Sequence, residues 1–572
     1  MTELASTTAP SGWRRHPHRS VGTLVAALVV SACSPTGPVA GLPAAPSGLV
    51  ATPAHTSVSV HFVPGDDGGH PLRNHHYSLD DGATWTPFEP HVTTGPATIA
   101  GLTNGDTYDL RLRAVNDRGA GPPSDALAIT PIARSYALRM GGTSSDGLHG
   151  VAALDTGGVV VVGTYVPPAT IGGVVDLPAI ENHRHAIVVR LDAGGRVTWQ
   201  SYLVASGAGS VDLYGVARLA DGSLAVAGSF RGTLAVPGVT TLESSITVPF
   251  FATLDEDGTW LAAGQASGAS TTPRGDAFAI AADPNGGAVI VGEFRGRLAF
   301  GGVTIESPGS TSGFVAAFDA NGSWTWALAA GSTAIDNLVD VAVSADGTTF
   351  VAGVSDGDAE FFPVGTLGAV GFATGFVASV SPSGAWRWAT YATGSTSGSA
   401  NSLMAVGADD VLVAGAYMGQ GWFGEATAVT STGSNADAFV GRLGGDGVWA
   451  WVTTIDSEGH AFPFGLDGLG DGRAIVAGGF SETASFEGAG FVTSEGSSDS
   501  FVALLDDDGA WVWVERFGSE AGAWVARVAA LADGGATLVG SFRSTLQLPF
   551  ADLVSAGETD GFVVKVGPDG AW

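Results

Sequence analysis

Between about residue 134 and residue 572 the apolar positions fall into short runs separated by glycine-rich turns, and the runs recur. One class is small and apolar: VAALD at Val151–Asp155, VARLA at Val216–Ala220, AIAAD at Ala279–Asp283, VAVSA at Val341–Ala345, LMAVG at Leu403–Gly407, FGLDG at Phe464–Gly468 and VAALA at Val528–Ala532. A second class ends in glycine and an aromatic, as in ATLVGSF at Ala536–Phe542. A variable excursion follows, such as RGRLAFGGVTIESPGSTS at Arg295–Ser312, and then a third run, GFVAAFD at Gly313–Asp319. A glycine turn leads to a Trp-rich fourth run, WTWALAA at Trp324–Ala330. Runs of this length between turn residues predict β-strands, and no long helical stripe is visible. The glycine before the fourth run stands at 195, 258, 322, 384, 447, 509 and 570, at spacings of 63, 64, 62, 63, 62 and 61 residues. A fixed period of this size marks a repeat architecture.

Four antiparallel strands per period make a β-propeller blade, with the excursion expected to form an extra hairpin. Seven first strands and seven third strands are present, but the seventh fourth strand is missing after Gly570. SYALRMGG at Ser135–Gly142 precedes the first unit and matches the register of WVWVERFG. It is expected to supply the outer strand of the last blade and so remove an exposed edge. The fold class expected is all-β, with a seven-bladed propeller over 134–572 closed by this N-terminal strand. In Trp324/Trp326, Trp386/Trp388, Trp449/Trp451 and Trp511/Trp513 both rings lie on one strand face, by the period of two. Wedge-shaped gaps between blades widen outward, so these rings are expected to be packing and not a sugar-stacking ladder. The region resembles bacterial β-propeller repeat proteins that share GSFxGTLxFGG…DxFVAKLDxxGxxxW, seen here as SFRGTLAVPG at Ser229, EFRGRLAFGG at Glu293 and SFRSTLQLPF at Ser541.

Residues 44–132 read differently. SVSVHF at Ser57–Phe62, HHYSLD at His75–Asp80 and YDLRLRAV at Tyr108–Val115 alternate like the strands of an antiparallel sandwich. GLTNGDTYDLRLRAVNDRGAGPPS resembles the fibronectin type III signature, with Leu102 and Tyr108 at its buried-leucine and tyrosine-corner positions. Phe62 stands where that family carries a core Trp. The resemblance implies a spacer or an adhesive module, and a spacer is the reading favoured. Before this domain, Arg14, Arg15 and Arg19 precede the apolar run VGTLVAALVVSAC, the pattern of an export signal. Its end, Val30-Ser31-Ala32-Cys33, resembles the bacterial lipobox, which implies cleavage after residue 32 and a lipid on Cys33, the only cysteine. A plain signal peptide with an incidental cysteine is the alternative. Residues 33–43, rich in Pro, Gly and Ala, read as a tether.

Composition narrows the partners. The chain has 572 residues, 45% of them hydrophobic, 86 glycines and a formal charge of −31. This is no disordered composition. Strong acidity repels phosphate backbones and anionic lipid surfaces, which argues against nucleic acid and leaves the Cys33 lipid as the one expected membrane contact.

Candidate chemistry is sparse. The turns LDEDGTW and LDDDGAW suggest calcium, yet Asp-Gly is also a favoured hairpin turn and other units lack the acids. No cofactor is expected, with calcium the one candidate. Connections between a fourth strand and the next first strand carry Asp146, Asp212, Asp276, Asp336, Asn401 and His460, expected to gather on one face as a site for a cation or polar ligand. Asp residues that cap turns explain the same pattern. His75 and His76 would face opposite ways as strand neighbours and so chelate poorly, and they, with His183 and His185, are expected to be exposed strand or loop histidines and not metal ligands. No zinc-protease, Gly-x-Ser-x-Gly, phosphate-loop or dinucleotide pattern stands out. The expectation is a non-catalytic, lipid-anchored protein of the bacterial cell envelope, at the outer membrane or cell surface, binding an envelope or extracellular protein or polysaccharide. The alternatives are a polysaccharide-active hydrolase or lyase and a purely structural surface component.

Overall fold

The computed structural model describes residues 41–572, apart from 55, 104–105, 132–134, 174, 179–183, 269–273, 424–428 and 432–434. The export signal, Cys33, most of the tether and His183 lie outside the described residues. Every regular element among the described residues is a β-strand.

The N-terminal domain is a two-sheet sandwich. Ser47–Ala54, Ser57–Val63 and Ala97–Ala100 form one sheet, and Asn74–Ser78 pairs with Tyr108–Asn116 in the other. Val58, Val60, Leu110 and Leu112 alternate inward along their strands and close its core. The Tyr108 hydroxyl accepts the Thr103 N–H at 3.0 Å, the tyrosine corner expected from the sequence. His75 corrects the expectation of an exposed histidine. It is fully buried against Phe62, ring centroids 4.7 Å apart, and its Nδ1 bonds the Val92 carbonyl at 2.9 Å. Burial holds its pKa below the ordinary value, so it sits in the core as a neutral ring. His185 is likewise buried, stacked on Tyr165.

The rest of the chain builds seven antiparallel units of four strands, the first two continuous in one sheet because Val197–Arg218 is both the outer strand of the first and the first strand of the second. In the third unit these are Arg274–Ala282, Ala288–Arg295, Ser312–Phe318 and Trp324–Ala330, paired in that order. Each first strand packs against the first strand of the next unit, and Ala523–Ala530 of the last packs against Gly147–Ala153 of the first. In the last unit the outer strand is Tyr136–Gly142, antiparallel to Asp560–Val566. Tyr136 pairs with Lys565 as Trp513 pairs with Leu504, so its phenol stands in the second tryptophan's place. Val159 and Val161 of the first unit share one apolar cluster with Val539 and Val563 of the last.

The excursions do form extra strand pairs, and these reach backward. Ala299 pairs with Ser267, Trp422 with Thr393 and Phe486 with Ile455, each partner lying at the end of the preceding unit's outer strand. Ala169 pairs with Gly142 in the same sense. An otherwise open edge is thereby partly covered.

The tryptophans pack between units, as expected, but the two rings of a pair do not share a strand face. A one-residue bulge between them turns Trp449 toward the preceding unit, where it donates to the Tyr391 carbonyl, and Trp451 toward Gly509 of the following one. Trp386, Trp449 and Trp511 are buried, each edge-on to a phenylalanine of its own unit's excursion at 5.1–5.3 Å. The repeat-marking glycines explain themselves here. Gly384 has φ +78°, and a Cβ on it would lie 2.5 Å from Cγ of Trp326 in the preceding unit. Only glycine fits both the left-handed turn and the ring.

Candidate functional site

The place where the repeat stops being uniform is the face formed by the seven first strands. Each carries a one-residue bulge opposite the second strand. The residues at the bulges are His149, Tyr214, Phe278, Val339, Asn401, Phe464 and Ala526. A bulge re-aims the side chain it carries and leaves its neighbours in the sheet. The backbone device recurs, and the side chains it presents differ at every unit.

One residue further on, all seven strands come within reach of one another around a cavity of about 340 Å³, lined by residues of every first strand. Gly150, Gly215, Ala279 and Gly465 hold this level with little or no side chain, while Arg527 and Asp340 cross it. Arg527 reaches Oδ1 of Asp340 at 3.5 Å and donates to the carbonyls of Phe464, Ala526 and Val339 at 3.0–3.3 Å. The other oxygen of Asp340 accepts from Ser402 Oγ and Leu403 N–H at 3.0 and 2.8 Å. Five donors and acceptors from four units therefore meet on one ion pair. Asp467, on the cavity wall, accepts from the Gly468 and Ala530 amides. Burial pushes its carboxyl up to about 6 against those bonds.

The mouth is divided by chemistry. Units one to three present a polar arc. His149, Tyr214 and Phe278 follow one another at centroid separations of 5.4 and 6.0 Å. Around them Arg184 pairs with Asp212 and Arg274 with Asp276, both at 3.0 Å. Burial first, then the charges of Arg184 and Arg527, hold His149 down at about 4, so it is neutral at pH 7. Units six and seven present an apolar cleft. His460, Phe462 and Phe464 run parallel along one strand face, centroids 5.9 and 6.3 Å apart and planes within 20°. They line a cavity of about 310 Å³ with Trp524, Gly479, Ser481, Ser497 and Ser498. Trp524 is 38% exposed, with the Arg543 guanidinium 5.5 Å over its ring.

The six residues expected to gather on one face stand at different positions relative to the bulges of their strands. Asp146 and Asp336 stand three residues before their bulges and are buried, holding backbone. Asp146 accepts the Gly142 and Val166 amides at 2.8 and 2.6 Å, and Asp336 accepts from Ser332 and Ser355. Asp212 and Asp276 stand two residues before their bulges and are ion-paired, Asp276 being buried and also accepting from Ser229 Oγ. Asn401 sits at its bulge and donates to the Pro463 carbonyl at 3.2 Å. His460 is exposed at the rim, its Nδ1 accepting the Ala436 N–H at 3.2 Å. Four of the six lie within strands and not in connections. In LDEDGTW and LDDDGAW the first carboxylate, Asp255 or Asp506, accepts two amides of its own turn. Among the described residues no three His, Cys, Asp or Glu side chains come together as a cation site would need. Against the expectation that no Gly-x-Ser-x-Gly pattern stands out, one occurs at Gly353–Gly357, but it has no strand-to-helix turn, and its Ser355 is buried, bonded to Asp336 and to the Gly357 carbonyl.

Tyr214, Phe462, Phe464, Trp524, Arg527, Asp340 and Asp467 were not singled out by sequence. Their signal was departure from the first-strand pattern. In FPFGLDG and AWVARVAA, Phe462 and Trp524 stand where the other five units place Gly147, Asp212, Asp276, Asn337 and Ser399, Arg527 stands where three units place glycine, and Asp467 stands where five units place alanine.

Comparison with known proteins supports one part of the chain by family. Residues 44–130 match the fibronectin type III domain. Among solved structures, Sqt1 from Chaetomium thermophilum is 13% identical, with a TM-score of 0.32 over 75% of this chain and 98% of that one. The FN1–FN3 domains of chicken CNTN1 are 11% identical, with a TM-score of 0.15 over 50% and 98%. Likeness that weak carries no argument. The chain is an all-β protein that carries a fibronectin type III domain at residues 44–130.

Proposed function

We propose that residues 134–572 close into a seven-bladed β-propeller that binds a polysaccharide of the cell envelope on its first-strand face. The fibronectin type III domain, over 44–132, acts as a spacer. A lipid on Cys33 at the end of the 33–43 tether holds the protein at the envelope after removal of residues 1–32. Closure is supported by the pairing of Tyr136–Gly142 with the last unit and by the core that the first and last units share.

The observation that carries the binding reading is the localised break in the repeat. Parallel rings and an exposed tryptophan beside small and hydroxyl-bearing residues suit a sugar ring, whose C–H face stacks on aromatics while its hydroxyls need donors and acceptors. Non-catalytic action is favoured by the engagement of the acids nearby. Asp212 and Asp276 are held by arginines, and Asp340 by Arg527. The set Asp212, Asp276, Asn401 and His460 borders this face and would contact a longer ligand.

Two measurements test this. Fractionation of cells producing the chain should find it with membranes, and Cys33→Ser should release it. The purified mature chain should be retained saturably by envelope polysaccharide, with or without calcium. Retention by envelope protein alone would replace polysaccharide with a protein partner, and turnover of the polysaccharide would replace binding with catalysis.

A further inference from the structure

The tryptophan ladder is broken at one junction. At six junctions the turn glycine of one unit faces a large ring from the preceding unit: Trp199, Trp326, Trp388, Trp451, Trp513 or Tyr136. At Gly322 the side chain in that place is Ala262, in WLAAGQ. A cleft of about 530 Å³ opens there, between Leu261–Ala262 and the turns around Asp221, Asn285 and Ala320. Phe251, where the other six third strands carry valine, takes part of the space and stacks on Phe318 at 3.7 Å. The rest stays open to solvent, with Leu261 52% exposed at its edge.

The hydrogen-bond acceptor for a ring in this place is already present. Trp199, Trp388 and Trp513 donate their indole N–H to the carbonyl two residues before the facing glycine, those of Glu256, Gly445 and Pro568, at 2.7, 2.7 and 3.3 Å. The corresponding carbonyl at this junction is that of Ala320, which lines the cleft. The rim carries the carboxylates of Asp221 and Asp319.

We propose that this cleft receives a tryptophan side chain from a partner polypeptide, seated as the chain's own indoles are seated at the other junctions. The acidic rim selects a basic segment around that tryptophan. This inference is independent of the polysaccharide reading, since the cleft lies at the turns where the tryptophans of the ladder seat, away from the first-strand bulges.

The test is calorimetric titration of the full chain with a blocked Lys-Trp-Lys tripeptide and with its Lys-Ala-Lys counterpart. The expected result is one saturable site for the tryptophan peptide only, weakening as salt rises. Ala262→Trp should fill the slot from within, raise the melting temperature and weaken the peptide by more than about tenfold. If Ala262→Trp does not fold, Ala262→Leu blocks the same space with a smaller side chain. Absence of saturable binding, or equal binding by the filled variant, would overturn the proposal and leave the cleft a packing defect.

Discussion

At the scale of single residues, the repeat is enforced by what has to be absent. Gly384 accommodates both a left-handed turn and the Trp326 ring against its α-carbon. Gly384→Ala adds backbone strain and overpacking together, and is expected to cost about 2–4 kcal/mol in chemical unfolding. The acids at the centre behave differently from those on the surface. Burial raises the carboxyls of Asp146 and Asp467 to about 6 from an ordinary 3.8. A carboxyl that binds its proton more tightly when folded contributes stability below pH 4, and that contribution is lost as pH rises through 6. NMR titration of the Asp467 carboxyl is expected to give a midpoint about two units above that of an exposed aspartate. A midpoint near 4 would mean that the two amides outweigh burial.

At the scale of elements, strand class and period were legible because side chains alternate and glycines are obligatory at tight turns. The backward reach of the excursions was not, because a strand's partner is fixed by tertiary pairing and leaves no local mark. Bulge register was hidden for a similar reason. It lies in the backbone, so Asp146, Asp212, Asn401 and His460 looked equivalent although they occupy four different levels. His75 looked exposed because histidine is polar; its neighbour Phe62 and the Val92 carbonyl made burial tolerable. The hairpins are expected to bind neighbouring units to one another. Phe486 pairs with Ile455 of the preceding unit and packs edge-on to Trp511 of its own, centroids 5.1 Å apart. Phe486→Ala should cost about 3–5 kcal/mol, and hydrogen exchange should rise in both units and not in one alone.

At the scale of the whole molecule, the proposed seven-bladed frame would leave one face free to vary. The frame depends on Tyr136–Gly142, which both pairs with the last unit and places the Tyr136 ring against Gly195 of the first. A chain beginning just before Ser135 should scatter light no more strongly than the full chain, whereas one beginning after Gly142 exposes the Asp560–Val566 edge and should aggregate, as light scattering would report. Within that frame, aromatic side chains gather on the first strands of units six and seven, opposite an arc of paired acids and arginines. The measurement that bears most directly on the account is titration of the mature chain with neutral oligosaccharides cut from the envelope polysaccharide, alongside Trp524→Ala and Phe464→Ala. The account predicts one saturable site whose affinity falls by about tenfold or more in each variant while both remain folded. Saccharide binding that neither substitution weakens, or none at all, would contradict it.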